Sequence, residues 1–108
     1  MPSSIQSTMQ HMPTVFIPAK AQGVDAVVQF EFSGAEAGEW VVHIHDGQCD
    51  VSPGRAEHAA LRFAADSEDF LAVLNGEMDG MRAFMQGKLQ LAGDLGLAMK
   101  LLKFFKMD

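Results

Sequence analysis

The chain has one cysteine, no tyrosine and four prolines in 108 residues, and only eight basic side chains against fourteen acidic ones. Each shortage excludes something. Cys49 alone permits no internal disulfide and fits a reducing compartment, so a cytoplasmic protein is expected. A formal charge of −6 works against nucleic-acid binding, which needs a basic footprint. No apolar run approaches the roughly 18 residues that span a bilayer, and the absence of a basic-then-apolar leader argues against secretion. There is no G-x-S-x-G elbow, phosphate loop or dinucleotide fingerprint. The expectation is a single domain over residues 1–108, not an enzyme, with no cofactor.

What the sequence does have is apolar surface, 48% of residues, arranged in two periods. Ser3 and Gln6 have capping-box spacing, so a helix is expected from about Ser4 until Pro13 stops it, with Ile5, Met9 and Met12 on one face. Val28, Phe30 and Phe32 alternate with Val27, Gln29 and Glu31, the pattern of a half-buried strand. Trp40, Val42 and Ile44 repeat it, and Asp46-Gly47 then signals a two-residue hairpin into Gln48–Val51. Counting back from that turn pairs Ile44 with Cys49 and His43 with Asp50. The Arg55–Ala59 connection is expected to be partly helical, followed by a fourth strand with Leu61 and Phe63 inward. Asp66 or Ser67 and then Asp79 cap two short helices, and Leu89 and Leu91 point inward from a fifth strand. The fold class is α+β, one sheet with helices packed on one face.

The last element poses the functional question. From Leu95 to Lys106 the pattern is helical, opened by Asp94. Its apolar residues spread over roughly 220°, where a surface helix needs little more than 100°. A second layer, a partner chain, a membrane or an internal apolar ligand must cover the excess. Lys100, Lys103 and Lys106 share the remaining stripe beside Phe104 and Phe105, a candidate contact with anionic lipid.

Candidate chemistry is sparse. His43 and His45 lie two apart on one strand face near Asp50, a separation two metal ligands can use, but no third ligand is fixed and a His–Asp cross-strand pair is the expected role. Cys49 falls on the apolar face, where a thiol is inert, and no metal or catalytic residue is assigned.

The run Ala83-Phe84-Met85-Gln86-Gly87-Lys88-Leu89, then Gly93-Asp94, then Leu97-Ala98-Met99-Lys100-Leu101, resembles the sterol carrier protein 2 (SCP2) lipid-binding domain. Pro13, Phe16 and Pro18 before the Val27–Phe32 strand, and Gly38-Glu39-Trp40 after it, agree in order. The resemblance implies a five-stranded sheet in order 3-2-1-4-5 and an apolar tunnel walled partly by the last helix. It implies binding and intracellular transport of a fatty acid, fatty acyl-CoA or sterol-like lipid, by a monomer rather than a dimer. The expected lining from the helices is Met81, Phe84, Met85, Leu95, Met99 and Leu102, with Phe105 beyond them. From the sheet it is Phe30, Trp40 and Leu91. Some relatives place a glutamine at two ligand-facing points where Met81 and Met99 stand here, which implies a more apolar site. The competing expectation is an accessory subunit of a lipid-related enzyme complex, its apolar last helix buried on a protein partner.

Overall fold

The structure, a computed structural model, describes residues 4–105. Ser3, expected as a cap, and Lys106 and Met107 lie outside the described residues. Ser4 is the N-cap of α1 (Ile5–Val15), its Oγ accepting from the Ser7 N–H at 3.1 Å. A second acceptor comes from far along the chain, because the Glu36 carboxylate receives the Ile5 N–H at 2.8 Å and so satisfies another free donor of the first turn. Pro13 does not stop the helix. It stands near the C-terminal end, where its missing N–H removes one bond and the preceding turns hold the rest. Ile5, Thr8 and Met9 are the buried side.

A 3₁₀ turn (Pro18–Ala21) leads into the sheet: β1 (Ala26–Ser33), β2 (Gly38–His45), β3 (Gln48–Pro53), β4 (Leu61–Asp66) and β5 (Leu89–Gly93). The order is 3-2-1-4-5, with β1 and β4 parallel and the other neighbours antiparallel. Asp46 (φ 49°) and Gly47 (φ 71°) take the left-handed pair that a tight hairpin with native twist demands. The register that follows is Ile44 with Cys49 and His43 with Asp50, as counted from the sequence. Between β4 and β5 come α2 (Ser67–Leu74) and α3 (Gly80–Met85), capped by Asp66 and Asp79. Residues 55–59 form no helix. They run as a loop whose backbone is held by a side chain of β1 rather than by its own i→i+4 bonds.

The last element differs most from expectation. α4 spans only Leu95–Leu101, and a 3₁₀ turn (Leu102–Phe104) ends it. Phe105 then pairs with Phe16 as an isolated bridge, and the Ile17 N–H donates to the Phe104 carbonyl at 2.6 Å. The tighter turn and the bridge send Phe104 and Phe105 into the core, which is how most of the surplus apolar arc is covered. One cluster joins Ile5 and Met9 of α1, the inward strand residues, Phe70, Ala83, Leu97, Leu101, Phe104 and Phe105. Each large side chain buried there contributes about 1.5–3 kcal/mol.

Candidate functional site

Strand pairing builds the inner part of the site from four strands. Trp40 lies opposite Phe30, Phe30 beside Phe63, and Phe63 opposite Leu91, so these residues form one rung across β2, β1, β4 and β5. Three of them are expected site residues; Phe63 was read only as inward. The rest of the aromatic floor was missed. Phe30, Phe32, Phe63 and Phe70 form a cluster with ring centroids 5.0–6.1 Å apart. Phe70 reaches it because Asp66 starts α2 where β4 ends, accepting the Glu68 N–H at 2.8 Å. The signal in the sequence is Phe30 and Phe32 at alternate places in β1 with Phe63 inward in β4, which parallel pairing sets beside Phe30.

The outer part comes from α3 and α4, which both pack on the edge strand β5. On α3 only Ala83 is buried; Met81 is 69%, Phe84 43% and Met85 78% exposed. On α4, Leu97 and Leu101 are buried while Leu95 is 54% and Met99 78% exposed. Among the described residues these five are all the large apolar side chains that stand exposed. Met81 and Met85, one turn apart, line an open depression of about 520 Å³ with Asp79, Arg82 and Gln86. That volume lies in the range of small-molecule sites. The Asp79 carboxylate is occupied as the α3 cap, accepting from Met81 N–H at 2.9 Å and Arg82 N–H at 3.3 Å.

Thus the expected lining divides. Phe30 is buried and Trp40 and Leu91 are half-buried on the sheet, while Met81, Phe84, Met85, Leu95 and Met99 face outward from the helices. Phe105 is buried against Phe16, with centroids 5.6 Å apart. The Leu102 side chain lies outside what the structure describes.

The opposite sheet face carries the polar groups. Gln29, which alternation turns away from the core, is nonetheless fully buried and holds residues 54 and 56. His43 and His45 stack with centroids 4.2 Å apart. Although Asp50 lies opposite His43 in register, its carboxylate sits 2.6 Å from His45 Nε2, and His43 Nε2 is 3.0 Å from Asp25. Among the described residues no three His, Cys, Asp or Glu groups are placed to hold a metal ion. Burial, with Asp50 adding, pushes the Cys49 thiol up to about 11, so it stays protonated and unreactive at neutral pH.

Hydrogen bonds that Asp50 and then Asp46 accept from the imidazole raise the His45 pKa above its ordinary 6.5. A raised folded-state value means that the stabilisation is complete below pH 6.5 and is lost as pH rises through the folded value. Asp50→Asn is therefore expected to lower the melting temperature more at about pH 5.5 than at about pH 8.5. Equal losses at both would show that the pair does not favour the charged imidazole.

Comparison with known proteins bears on the family and the fold. The family model described as the SCP-2 sterol transfer family matches residues 17–106. The chain is 33% identical over 102 residues to hydroxysteroid dehydrogenase-like protein 2 of Xenopus tropicalis, covering 94% of this chain and 24% of that one. It is 37% identical over 82 residues to human (Homo sapiens) sterol carrier protein 2, covering 76% of this chain and 15% of that one. The solution structure of palmitated SCP2L2 from Aedes aegypti superposes with a TM-score of 0.76 at 26% identity, covering 93% and 92% of the two chains. The chain thus spans about a quarter or less of these two curated relatives and nearly all of the mosquito protein.

Proposed function

The chain belongs to the SCP-2 sterol transfer family, and from that premise we propose that it binds and carries single-chain apolar lipids, fatty acids first among them, without altering them chemically. The observation that carries this is the placement of Met81 and Met85 over an open apolar depression on a fold shared with a palmitate-bearing relative. Methionine is unbranched and adapts to irregular partners, which suits chains of differing length. Fatty acyl-CoA and sterol-like molecules are the next candidates, since a large open mouth tolerates a bulky end.

The energetics need no polar contact. Each methylene moved out of water contributes roughly 0.8 kcal/mol, so a twelve-carbon chain gains about 10 kcal/mol gross. Association costs at least roughly 4 kcal/mol, which leaves at most about 6 kcal/mol, an affinity of roughly tens of micromolar for that chain and tighter for longer ones, with little selectivity between neighbouring chain lengths. Carriage of the ligand takes place as a monomer. The lone buried thiol fits a reducing compartment such as the cytoplasm; among the described residues no helix is long and apolar enough to cross a membrane.

Native mass spectrometry of freshly purified protein, followed by organic extraction, tests the reading. A stoichiometric adduct of a few hundred daltons that is lost on denaturation is the expected result. An apo mass together with no binding of a fluorescent fatty acid in solution would end it. Met85→Asp and Phe84→Asp sharpen the location. Both side chains are exposed, so folding is expected to survive. A carboxylate beside the alkyl chain must be desolvated on binding, and fatty-acid affinity should fall at least roughly tenfold. Unchanged affinity in both would place the site under the sheet rung instead.

A further inference from the structure

The charges of this acidic chain are segregated along the sequence, and the fold keeps them segregated. Twelve of the fourteen carboxylates precede residue 80. From residue 80 to 105 there are four cations, Arg82, Lys88, Lys100 and Lys103, and one carboxylate, Asp94. Asp94 is engaged at the start of α4, where its Oδ1 accepts the Leu97 N–H at 3.0 Å. All four cations are exposed, and among the described residues none of them is paired with a carboxylate, whereas Arg55 and Arg62 are paired with Glu39 (2.7 Å) and Glu31 (3.5 Å). The exposed apolar side chains occupy the same two helices. Leu95, Met99 and Lys103 follow one another at i, i+4, i+8 along α4 and the turn after it, and on α3 Met81 and Met85 stand at i and i+4 with Arg82 beside them at the same depression.

A protein of net charge −6 that gathers these cations and its exposed methionines on and between two helices packed on the same edge strand has a region that an anionic surface attracts and a bilayer interface accommodates, the nearby Asp79 carboxylate being engaged as the α3 cap. The expected partners of the lysine stripe, Phe104 and Phe105, are buried and cannot serve. We propose that α3 and α4 dock the protein on anionic membranes, with Met81, Phe84, Met85, Leu95 and Met99 entering the headgroup boundary and Arg82, Lys88, Lys100 and Lys103 meeting lipid phosphates. The inference rests on the carrier reading, because it sets the open depression against the bilayer from which a lipid chain would enter.

The test uses the full chain and two independent readouts: flotation with large unilamellar vesicles, and fluorescent fatty-acid binding in solution without vesicles. Vesicles of phosphatidylcholine with about 30% phosphatidylserine should capture the protein, and pure phosphatidylcholine vesicles should capture far less, with capture falling as salt rises. Each lysine near such a surface is worth about fivefold in partitioning, so Lys88→Glu/Lys100→Glu/Lys103→Glu should lose about a hundredfold or more. Solution fatty-acid binding should be unchanged in that variant, which also shows that it folds. Equal capture on neutral and anionic vesicles, or full capture of the variant, overturns the docking face while leaving the carrier reading intact. Concentration-dependent self-association that the same substitutions abolish also overturns it, since the face would then belong to a protein interface. Failure of the wild type to bind fatty acid in solution counts against the carrier reading, on which the docking inference depends.

Discussion

Gln29→Leu should lower the melting temperature by about 12 °C or more, from a loss of about 3 kcal/mol. The side chain is fully buried on the sheet face away from the aromatic core. Its Nε2 donates to the carbonyls of Trp40 (3.3 Å), Phe30 (3.3 Å) and Gly54 (3.1 Å), and its Oε1 accepts the Ala56 N–H at 2.6 Å. Leucine fills similar volume but makes none of these four hydrogen bonds, each worth about 0.5–1.5 kcal/mol net, and leaves the half-buried Ala56 N–H without this partner. Gln29→Glu should be worse, because it keeps the acceptor but sets a carboxylate against three carbonyl oxygens. Urea unfolding measures both. A loss below about 1 kcal/mol for the leucine variant would mean that residues 54–56 are held by something else. The consequence reaches the site, since this loop leads into β4, which carries Phe63.

Gly93→Ala should cost about 4 kcal/mol, a large share of the stability of a domain this size. Two separate effects add. Gly93 has φ 110°, a region that a residue with a Cβ rarely enters. A Cβ built there would lie 2.5 Å from the Ala60 carbonyl oxygen and 3.2 Å from the Leu61 Cα. That carbonyl cannot retreat freely, because it accepts the Asp94 N–H at 2.8 Å while the Ala60 N–H is bound to the Val27 carbonyl at 2.8 Å. The backbone strain and the clash each cost about 1–3 kcal/mol. Gly23 provides the comparison, with φ 77° and nothing within 4 Å of the added carbon, so Gly23→Ala should show the strain alone. If thermal denaturation gave the two alanine variants the same loss, the close approach of β5 to residue 60 would be the wrong cause. The Gly93 variant should also weaken fatty-acid binding, because α4 and its Asp94 cap start at the displaced residue.

The features legible in the sequence are those decided by neighbours along the chain. A turn dictates register locally, so Asp46-Gly47 was enough to pair Ile44 with Cys49. Caps are equally local, and Asp66, Asp79 and Asp94 each accept the N–H groups expected of them. Alternation assigned every inward residue of β1 and β2. The strand order came from family resemblance, since periodicity says which face a strand buries and not which strand lies beside it.

What the sequence could not decide was what covers each face. Gln29 was turned from the core by alternation, yet whether it met water or the backbone of residues 54 and 56 depended on where a loop 25 or more residues later came to rest. The apolar excess of the last helix was visible, but its division was not. Phe104 and Phe105 are buried because a 3₁₀ turn and a bridge to Phe16 redirect them, while Met99, an equally apolar residue of the same run, stays exposed. The sequence by itself determined which side chains were apolar and where the chain must turn, because those follow from chemistry and short-range sterics. Tertiary structure alone decided which of them became core and which became an outward face, because burial is a property of the surfaces that meet and not of the residue that is buried.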